Sequence, residues 1–367
     1  MSTAALFACI STGAILGIWI GYPTVMMLLA SMRRHQMPST GSLPSLSVVI
    51  ATREPSDAIA RKVRSVLAAE YPPERFELIV ALDPAADLMD GVPGIEDARV
   101  RVLQCPGPPG KSSALNAGVA QALGEIVVLT DTHQLLHPGA LIALARGFSH
   151  PSVGAVSGFL ELKPGSKSSP IDAYWRLERQ LRWAEGRISS SVGVTGALYA
   201  VRRSLWPTLP EGLILDDVYV PMSIVLGGHR VVVEQAAIAL EQRYTTLELE
   251  FRRKARTLAG NLQLLQLQPA ILDPSRNPIW LQFLLHKLAR LLTPFLLLVM
   301  IVSVAALILG PSPSATRLWK LALPLIAICL LAATSRGRHQ LRWIFYLQLA
   351  TLLGVYYGLR QRSDVWR

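Results

Sequence analysis

The feature that most constrains this chain is a long apolar run at its start. Residues 4–30 contain no charged side chain, and the first charge is Arg33. A helix that crosses a bilayer needs about 20 mostly apolar residues. The run is longer than the roughly 7–15 apolar residues of a signal peptide, and no basic residue precedes it. We therefore predict a transmembrane helix over residues 1–32, followed by a linker over residues 33–45.

The composition supports a membrane protein with an attached folded domain. Of the 367 residues, 51% are hydrophobic and 17% are charged, whereas a soluble domain carries about 25% charged residues. The net charge is +11, and residues 279–367 contain ten Lys and Arg against one acid, Asp364. Basic residues that flank apolar runs are typical of membrane edges, so we expect no nucleic-acid partner.

The C-terminal part repeats the apolar pattern of the start. We predict an interfacial helix region over residues 266–290 and transmembrane helices over about 291–309, 319–334 and 343–359. The basic residues after the first helix place the next segment in the cytoplasm. Three further helices would leave the basic tail outside, so either that preference is overridden or one short segment is interfacial. We expect a multi-pass protein of the cell membrane.

The middle of the chain, residues 46–265, has the pattern of an α/β domain. Short apolar runs and helical periodicity predict strands over 46–51, 76–82, 99–104 and 125–130, and helices over 58–70 and 112–123. Strands that alternate with helices favour a largely parallel sheet with helices on both faces. The functional loops of such a sheet lie at the carboxyl ends of its strands.

Charged residues occur at those strand ends and loop starts. Asp83 follows the second strand, Asp131 and His133 follow the fourth, and Lys111 precedes a helix. A basic cluster, residues 252–256, comes before the C-terminal apolar segments. Carboxylates close to Lys and Arg suit an anionic, metal-bound phosphate substrate.

The segment before Lys111 is not a Walker nucleotide-binding loop, although it contains Gly-Lys-Ser. That motif needs a glycine where this chain has Cys105. Pro108 and Pro109 also lack the backbone N–H groups that would bind a phosphate. The nucleoside-triphosphatase class is therefore excluded.

Taken in order, the segments of the middle region resemble those of a known enzyme family. They read SVVIATREP, IVALDPAAD, GKSSALNAG, EIVVLTDTH, TGALYAVRRSLW, LDDVYVPMSIVLGGHRV and EFRRKARTLAGNLQLL. In this order, and between apolar helices, they resemble the motifs of membrane-bound family 2 glycosyltransferases. That group includes the poly-N-acetylglucosamine, cellulose and hyaluronan synthases and related exopolysaccharide enzymes.

The resemblance implies a cytoplasmic GT-A domain over residues 46–265, with a Rossmann-like mixed sheet and helices on both faces. It implies an inverting transfer of a sugar from a nucleotide sugar, UDP-linked by expectation, with Mn²⁺ or Mg²⁺ as cofactor. The acceptor would be a growing polysaccharide or a lipid-linked glycan, in exopolysaccharide or cell-surface glycan synthesis. Membrane lipid and polysaccharide export proteins would be the other partners.

The resemblance also assigns roles to individual residues. The catalytic base maps to Asp217, and the metal ligands map to Asp131 and His133. The nucleotide-sugar contacts map to Thr52, Glu54, Asp83, Lys111, Asn116, Asp131, Arg253 and Arg256. The acceptor side maps to Thr195, Gly196 and Asp216.

Each assignment has a structural alternative that the residues alone leave open. Asp216 or Asp217 could be a helix N-cap, and Asp83 could be a turn residue before a proline. Lys111 could be a solvated lysine at a helix start, and the basic cluster could anchor the chain to a membrane surface. One further helical face is predicted to be packing rather than a ligand site; it consists of Tyr174, Leu177, Leu181 and Ala184.

The chain departs from the family pattern at two places. His133 replaces the second acid of the Asp-x-Asp motif; imidazole suits Mn²⁺ better than Mg²⁺, and a histidine variant also occurs in the related polypeptide GalNAc transferases. The alternative is that His133 binds no metal. The Q-x-x-R-W motif lacks its Trp, and Thr257 stands there, which weakens the case for a processive polymerase. A single-sugar transferase acting on a polyprenyl-phosphate carrier and a catalytically silent membrane scaffold are the alternatives.

Overall fold

The computed structural model describes residues 2–33, 42–86, 96–163, 170–242, 246–309 and 334–360. The membrane segment predicted over 319–334 lies outside these residues, except for its last position. Most of the 33–45 linker also lies outside them.

A mixed sheet forms the centre of the folded domain. In the described part of the chain its strands are β1 (Leu46–Thr52), β2 (Phe76–Leu82), β3 (Val100–Gln104), β4 (Ile126–Thr130), β5 (Leu135–Leu136), β6 (Val153–Lys163), β7 (Leu198–Arg202) and β8 (Arg230–Gln242). They lie in the order β3-β2-β1-β4-β7-β6-β8-β5. Strands β1 to β4 are parallel, whereas β7 is antiparallel to β4 and β6. The four predicted strands are confirmed within one residue of their bounds.

Helices cover both faces of this sheet, as predicted. The described helices are α1 (Thr3–Met32), α2 (Ser56–Leu67), α3 (Lys111–Ala120), α4 (Ala140–Arg146), α5 (Pro170–Ile188), α6 (Asp216–Leu226), α7 (Leu247–Leu267), α8 (Trp280–Ile308) and α9 (Ser335–Leu359). Alternate side chains of β1 point to opposite faces. Val48 and Ile50 pack with Ile59 of α2, and Val49 packs with Leu115 of α3. Continuous apolar strands therefore give two cores, one on each side of the sheet.

Two of the described helices, α1 and α8, are long and apolar enough to cross a membrane. The first half of α1 packs along α8, and Trp19 Nε1 donates a hydrogen bond to Thr293 Oγ1 at 3.1 Å. Helix α8 runs from Trp280 to Ile308, with π-helical and 3-10 turns over Leu284–Leu292. The helix geometry therefore changes near residue 290, where the division between an interfacial helix and a span is predicted.

The second half of α1 packs against α5 of the folded domain. The contact is made by Tyr22, Met26, Ala30, Leu181 and Ala184. This confirms the packing role predicted for Leu181 and Ala184. The aromatic ring of Tyr174, on the same helix, lies 6.3 Å from that of Trp19.

Helix α9 differs from the short membrane span predicted over 343–359. It begins at Ser335 and is not one of the two helices with the apolar length of a span. It packs on α7 instead, since Gly354 lies against Ala255 and Leu258, and Gly358 lies against Leu262. The predicted set of three C-terminal spans is therefore not confirmed in the described residues.

Candidate active site

Three of the predicted loops meet at one lysine. Lys111 opens α3, and its Nζ lies 3.0 Å from Asp131 Oδ1 and 3.3 Å from Asp216 Oδ1. Asp131 follows β4, and Asp216 opens α6. The Lys111 and Asp131 side chains are 40% and 38% exposed, so the cluster faces solvent and water screens part of its attraction.

The charge of Lys111 is stabilised by these partners. Desolvation lowers the pKa of Lys111, but Asp131 and Asp216 act more strongly together, and the net pKa is raised. The lysine is therefore a fixed cation between two carboxylates that come from separate parts of the chain. The alternative that Lys111 is only a solvated residue at a helix start does not account for these two ion pairs.

Asp217 and Asp131 both lie beside Gly196. A Cβ on Gly196 would be 3.8 Å from Asp131 Oδ2 and 3.8 Å from Asp217 Cβ. Burial raises the pKa of the Asp217 carboxyl, and the charge of Asp216 raises it further, against the cations Lys287, Lys111 and Arg182. A carboxylate with a raised pKa is a stronger proton acceptor than an ordinary one.

Neither aspartate caps α6 in the way proposed as the alternative. Leu215 holds the N-cap position and no side chain caps the helix, so both aspartates lie in the first turn. Negative charge is favourable there because of the helix dipole. Asp216 also accepts a hydrogen bond from Tyr199 Oη at 3.4 Å, so its carboxylate is fixed from two sides.

Asp83 is buried and ties two loops together. Its Oδ1 accepts a hydrogen bond from the Ala85 N–H at 2.8 Å, and its Oδ2 accepts one from the Gly110 N–H at 2.9 Å. Gly110 has φ +155°, a backbone conformation that other residues rarely adopt. The bond to Ala85 confirms the turn role of Asp83. The bond to Gly110 positions the residue directly before Lys111.

Thr52 and Glu54 approach the Asp131–His133 loop from the end of β1. Thr132 Oγ1 and Thr52 Oγ1 are 2.9 Å apart, and His133 Nε2 lies 3.3 Å from Glu54 Oε1. The His133 side chain is 61% exposed. The sequence-predicted group of Thr52, Glu54, Asp131 and His133 is therefore brought together.

Within the described residues, no group of three or more His, Cys, Asp or Glu side chains could hold a metal ion. Asp131 and His133 supply two donors on one exposed loop, 38% and 61% exposed. Mg²⁺ and similar ions are commonly held by one or two protein ligands and substrate phosphate oxygens. The residues present fit such a shared site and do not fit a metal site formed by protein alone.

The amide of Asn116 is engaged with protein. Its Nδ2 donates to the Leu209 carbonyl at 2.9 Å, and its Oδ1 accepts from the Leu209 N–H at 3.0 Å and from Trp206 Nε1 at 3.3 Å. These bonds hold the 206–209 segment against α3. The predicted sugar-nucleotide contact of Asn116 therefore competes with a structural role.

The arginines of the basic cluster separate on α7. Arg253 pairs with Glu250 at 3.3 Å. Arg256 is exposed one turn before Gly260, whose α-carbon packs against Leu215, the residue before Asp216. Arg253 and Arg256 lie on the same side of α7 as Gly260, and Arg256 is about one turn closer to it along the helix.

Thr195, which is predicted to lie on the acceptor side, is bound to β6. Its backbone N–H donates to Ser157 Oγ at 3.0 Å. The neighbouring Val194 N–H donates to the Asp217 carbonyl at 2.9 Å. The segment from Val194 to Gly196 is therefore bound directly to the backbone of the candidate base.

Sequence reasoning missed Lys62 behind the site. Its side chain is fully buried, and its Nζ donates to Thr130 Oγ1 at 2.7 Å and to the Gln134 carbonyl at 2.5 Å. Burial lowers the pKa of Lys62 to about 7, against the charge of Asp131. The sequence indicates its burial in one way: Lys62 lies at helical spacing within the apolar face of α2, between Ile59 and Val66.

Residues 44–260, more than half of the chain, match the family described as "Glycosyltransferase like family 2". The chain belongs to this family.

As a family 2 glycosyltransferase-like protein it has curated relatives at low identity. The probable glycosyltransferase YdaM of Bacillus subtilis is 24% identical over 272 residues, which is 66% of this chain and 64% of YdaM. A beta-monoglucosyldiacylglycerol synthase of Trichormus variabilis is 27% identical over 142 residues, which is 37% of this chain and 30% of that enzyme. The chain thus spans less than two thirds of these relatives.

The fold of this family 2 protein also occurs among solved structures. The mannosyltransferase PcManGT from Pyrobaculum calidifontis, solved in complex with GDP-Man and Mn²⁺, superposes with a TM-score of 0.72. The alignment covers 97% of this chain and 99% of that one, at 22% identity. At this identity the likeness establishes the fold, which confirms the predicted GT-A-like architecture.

Proposed function

We propose that this chain is an inverting glycosyltransferase that transfers a sugar from a nucleotide sugar to a glycan or lipid-linked acceptor at the cytoplasmic membrane face. The observation that carries the proposal is the placement of Asp217 beside the Lys111–Asp131–Asp216 cluster, within a family 2 domain. Carboxylates and a cation at one cleft provide the two things that the reaction needs, a proton acceptor and a site for a diphosphate.

The proposed reaction is a single displacement at the anomeric carbon. The acceptor hydroxyl oxygen forms a bond to that carbon while the bond from the carbon to the diphosphate oxygen breaks. Asp217 takes the proton of the hydroxyl, and the nucleoside diphosphate leaves with the electron pair. Lys111 offsets the charge that develops on the leaving group. One displacement inverts the configuration of the sugar.

Asp131 and His133 would hold a divalent ion, Mn²⁺ or Mg²⁺. When bound, this ion supplies positive charge to the diphosphate. Two observations support the assignment: the two donors share one exposed loop, and the mannosyltransferase of the same fold was solved with Mn²⁺. A UDP-sugar is the donor that the family resemblance favours, whereas that structure contains GDP-Man, so both nucleotides belong in a test.

The acceptor divides the proposal into two versions. In the first, the product is an exopolysaccharide and export proteins are partners. In the second, one sugar is added to a lipid-linked acceptor. The second version is favoured by Thr257, which stands where processive relatives have a tryptophan. A relative named as a glycolipid synthase also supports it.

The membrane location of the enzyme is part of the proposal. Helices α1 and α8 have the length and apolar character of membrane spans, and Arg33 follows α1 directly. A basic residue after a span favours a cytoplasmic position for the next segment of the chain. The catalytic domain would then have direct access to soluble nucleotide sugars.

The experiment is a panel of UDP- and GDP-sugars, tested with the full chain in membranes and with added Mn²⁺ or Mg²⁺. We expect one donor to release its nucleoside diphosphate in a metal-dependent way and to label a glycan or a lipid. Asp217→Asn should reduce transfer by about 10²–10⁴-fold. The matched control is Asp57→Asn, since Asp57 lies on the surface of α2 with 77% of its side chain exposed.

Unchanged turnover in Asp217→Asn would remove this residue as the base. Absence of nucleoside diphosphate release with every donor would favour the silent scaffold. A metal response that survives His133→Ala unchanged would remove His133 as a ligand while leaving the transferase proposal in place.

A further inference from the structure

A buried ammonium group joins the two ends of the loop 131–133, which carries both candidate metal donors. The Lys62 side chain is fully buried. Its Nζ donates to Thr130 Oγ1 at 2.7 Å and to the Gln134 carbonyl at 2.5 Å. These two acceptors belong to the residues directly before and directly after the loop. A single side chain of α2 therefore holds the loop at both ends.

The burial of this ammonium group has no part in the proposed displacement, so it needs another explanation. A lysine that leaves water for the core loses its hydration, whereas an apolar residue would fill the same place without that cost. The two acceptors of Lys62 described above are neutral oxygens. What the ammonium supplies is geometry, because one atom with three donor positions can bond to two separate parts of the chain.

Thr130 extends this connection to the neighbouring strand. Its Oγ1 donates to the Ala197 carbonyl at 2.7 Å. Ala197 directly follows Gly196, where an added Cβ would be 3.8 Å from Asp217 Cβ. The same set of bonds therefore joins the loop 131–133 to the segment that lies beside the candidate base.

Other bonds restrict the loop further. Thr132 Oγ1 lies 2.9 Å from a threonine hydroxyl of β1. Ser65, one turn after Lys62 on α2, accepts a hydrogen bond from the Leu136 N–H at 2.8 Å. The loop is thus bound at both ends and at its centre, while its two candidate metal donors stay exposed.

We propose that Lys62 is a positioning residue for the divalent ion. By holding both ends of the loop 131–133, it sets the separation of the Asp131 carboxylate and the His133 imidazole, and with it the affinity of the loop for the ion. A site with two protein donors depends closely on their placement, because substrate oxygens supply other ligands. This inference rests on the proposed function and deepens its metal assignment. Lys62 itself contacts neither the ion nor the substrate.

The first measurement is Mn²⁺ binding to the purified full chain in detergent, in the presence of UDP or GDP as the donor panel selects. Free Mn²⁺ is followed by its electron paramagnetic resonance signal, so no turnover is needed. We expect Lys62→Met to weaken Mn²⁺ binding about 10–100-fold, the usual effect of losing a group that orients metal ligands.

The second measurement is amide hydrogen exchange of the metal-free chain, read by mass spectrometry. Peptides that cover residues 131–136 should exchange about tenfold faster in Lys62→Met, as expected for loss of one hydrogen bond from a charged donor. Peptides from β2 should exchange at the native rate. This pattern would show that the loop opens locally while the sheet stays intact.

Control variants separate position from general stability. Val63→Ala removes buried core methyl groups next to Lys62 on α2. It should lower the unfolding temperature but leave Mn²⁺ affinity within about threefold of the native value, less than the effect of one hydrogen bond.

A second pair of variants decides the question if Lys62→Met does not fold. Thr130→Val keeps the shape of the side chain and removes its hydroxyl, whereas Thr130→Ser keeps the hydroxyl. We expect Thr130→Val to weaken Mn²⁺ binding about tenfold, as for the loss of one hydrogen bond from a charged donor, and Thr130→Ser to stay within about threefold of the native chain.

Native Mn²⁺ affinity in a folded Lys62→Met chain would overturn the proposal. So would an equal loss in Val63→Ala, or equal affinities in Thr130→Val and Thr130→Ser. The proposed function is judged separately. If nucleoside diphosphate is released in a Mn²⁺-dependent way but Lys62→Met binds Mn²⁺ like the native chain, only the positioning role fails. A native chain that binds no Mn²⁺ would overturn the metal assignment and this inference together, and release without metal would leave the transferase in place.

Discussion

Asp217 occupies the first turn of α6, where burial and Asp216 both raise its pKa above the ordinary value of 3.8. A general base must be deprotonated, so the rate should fall as the pH drops through this raised pKa. The fall should therefore begin at a higher pH than for an ordinary aspartate. Asp216→Asn removes the like charge and should move this acid limb to lower pH.

The measurement is kcat as a function of pH, for the native chain and for Asp216→Asn. Asp57→Asn again provides the control, because its carboxylate lies far out on the surface of α2. An acid limb that stays in place, or that moves to higher pH, would contradict the electrostatic coupling between the two aspartates.

Lys62 should give the folded chain a distinctive pH dependence. Its pKa is about 7 in the fold against an ordinary value of 10.5. Between these values the unfolded chain binds one more proton than the folded chain, so the free energy of unfolding should rise with pH. The rise can reach about 1.4 kcal/mol per pH unit, and Lys62→Met should remove it.

This prediction is checked by urea unfolding in detergent at pH 7, 8 and 9. Arg61→Met is the control, since the neighbouring Arg61 side chain is 66% exposed. The same slope in Lys62→Met and in the native chain would show that Lys62 is not the group that titrates.

At the residue scale, the sequence predicted those site residues that directly follow or begin regular elements. Asp131 and His133 follow β4 and were found this way, because parallel strands bring their carboxyl ends to one edge. Lys111 was found at a helix start, and Asp216 was assigned through the family resemblance. Lys62 was not found. The apolar stripe of α2 indicates only that its side chain is buried, whereas its partners, Thr130 and the Gln134 carbonyl, are distant in sequence.

At the element scale, the crossing of α9 over α7 depends on two glycines. A Cβ on Gly354 would be 2.7 Å from the Ala255 carbonyl oxygen, and one on Gly358 would be 2.7 Å from Leu262. Gly354→Ala should therefore push the helices apart and cost about 1–3 kcal/mol. It should also weaken donor binding if Arg256 of α7 contacts the substrate.

The thermal unfolding midpoint and the donor KM measure these two effects. Gly13→Ala is the matched control, since nothing lies within 4 Å of a Cβ on Gly13, and alanine there favours the helix. If Gly354→Ala unfolds at the native temperature, the close packing of α9 on α7 is not required for stability.

The same crossing bears on the span predicted over residues 343–359, which the described residues do not confirm. Helix α9 is apolar over these residues, as a membrane span would be. It also has Gly354 and Gly358 spaced four apart, a pattern that allows two helices to pack closely. Hydropathy alone favoured the span.

The strands β6, β7 and β8 were not predicted from the sequence. Their mixed pairing joins residues that are far apart along the chain, whereas β1 to β4 are continuous apolar runs that a local pattern detects.

At the scale of the whole molecule, α1 and α8 lie on one side of the catalytic domain. The part of α1 before Trp19 packs along the part of α8 after Thr293. Tyr22 of α1 donates a hydrogen bond to Glu185 of α5, and Arg290 of α8 forms an ion pair with Glu178 of α5. Residues 3–21 would span roughly 28 Å at 1.5 Å per residue, close to the thickness of a bilayer core. The two helices can therefore cross one membrane together while the domain stays outside it.

This arrangement predicts which parts of the chain water-soluble reagents reach. Residue 2 lies beyond one end of α1, and Asp57 lies in the catalytic domain beyond the other. In cells with an intact cell membrane, a membrane-impermeant maleimide should label Ser2→Cys from outside. It should label Asp57→Cys only after the membrane is permeabilised, because Arg33 favours the cytoplasmic side.

The native Cys9 is an internal control. It is exposed on the apolar surface of α1 and should resist labelling in both cases, since a thiol in lipid does not ionise. Labelling of both introduced cysteines from the same side would mean that α1 does not cross the membrane.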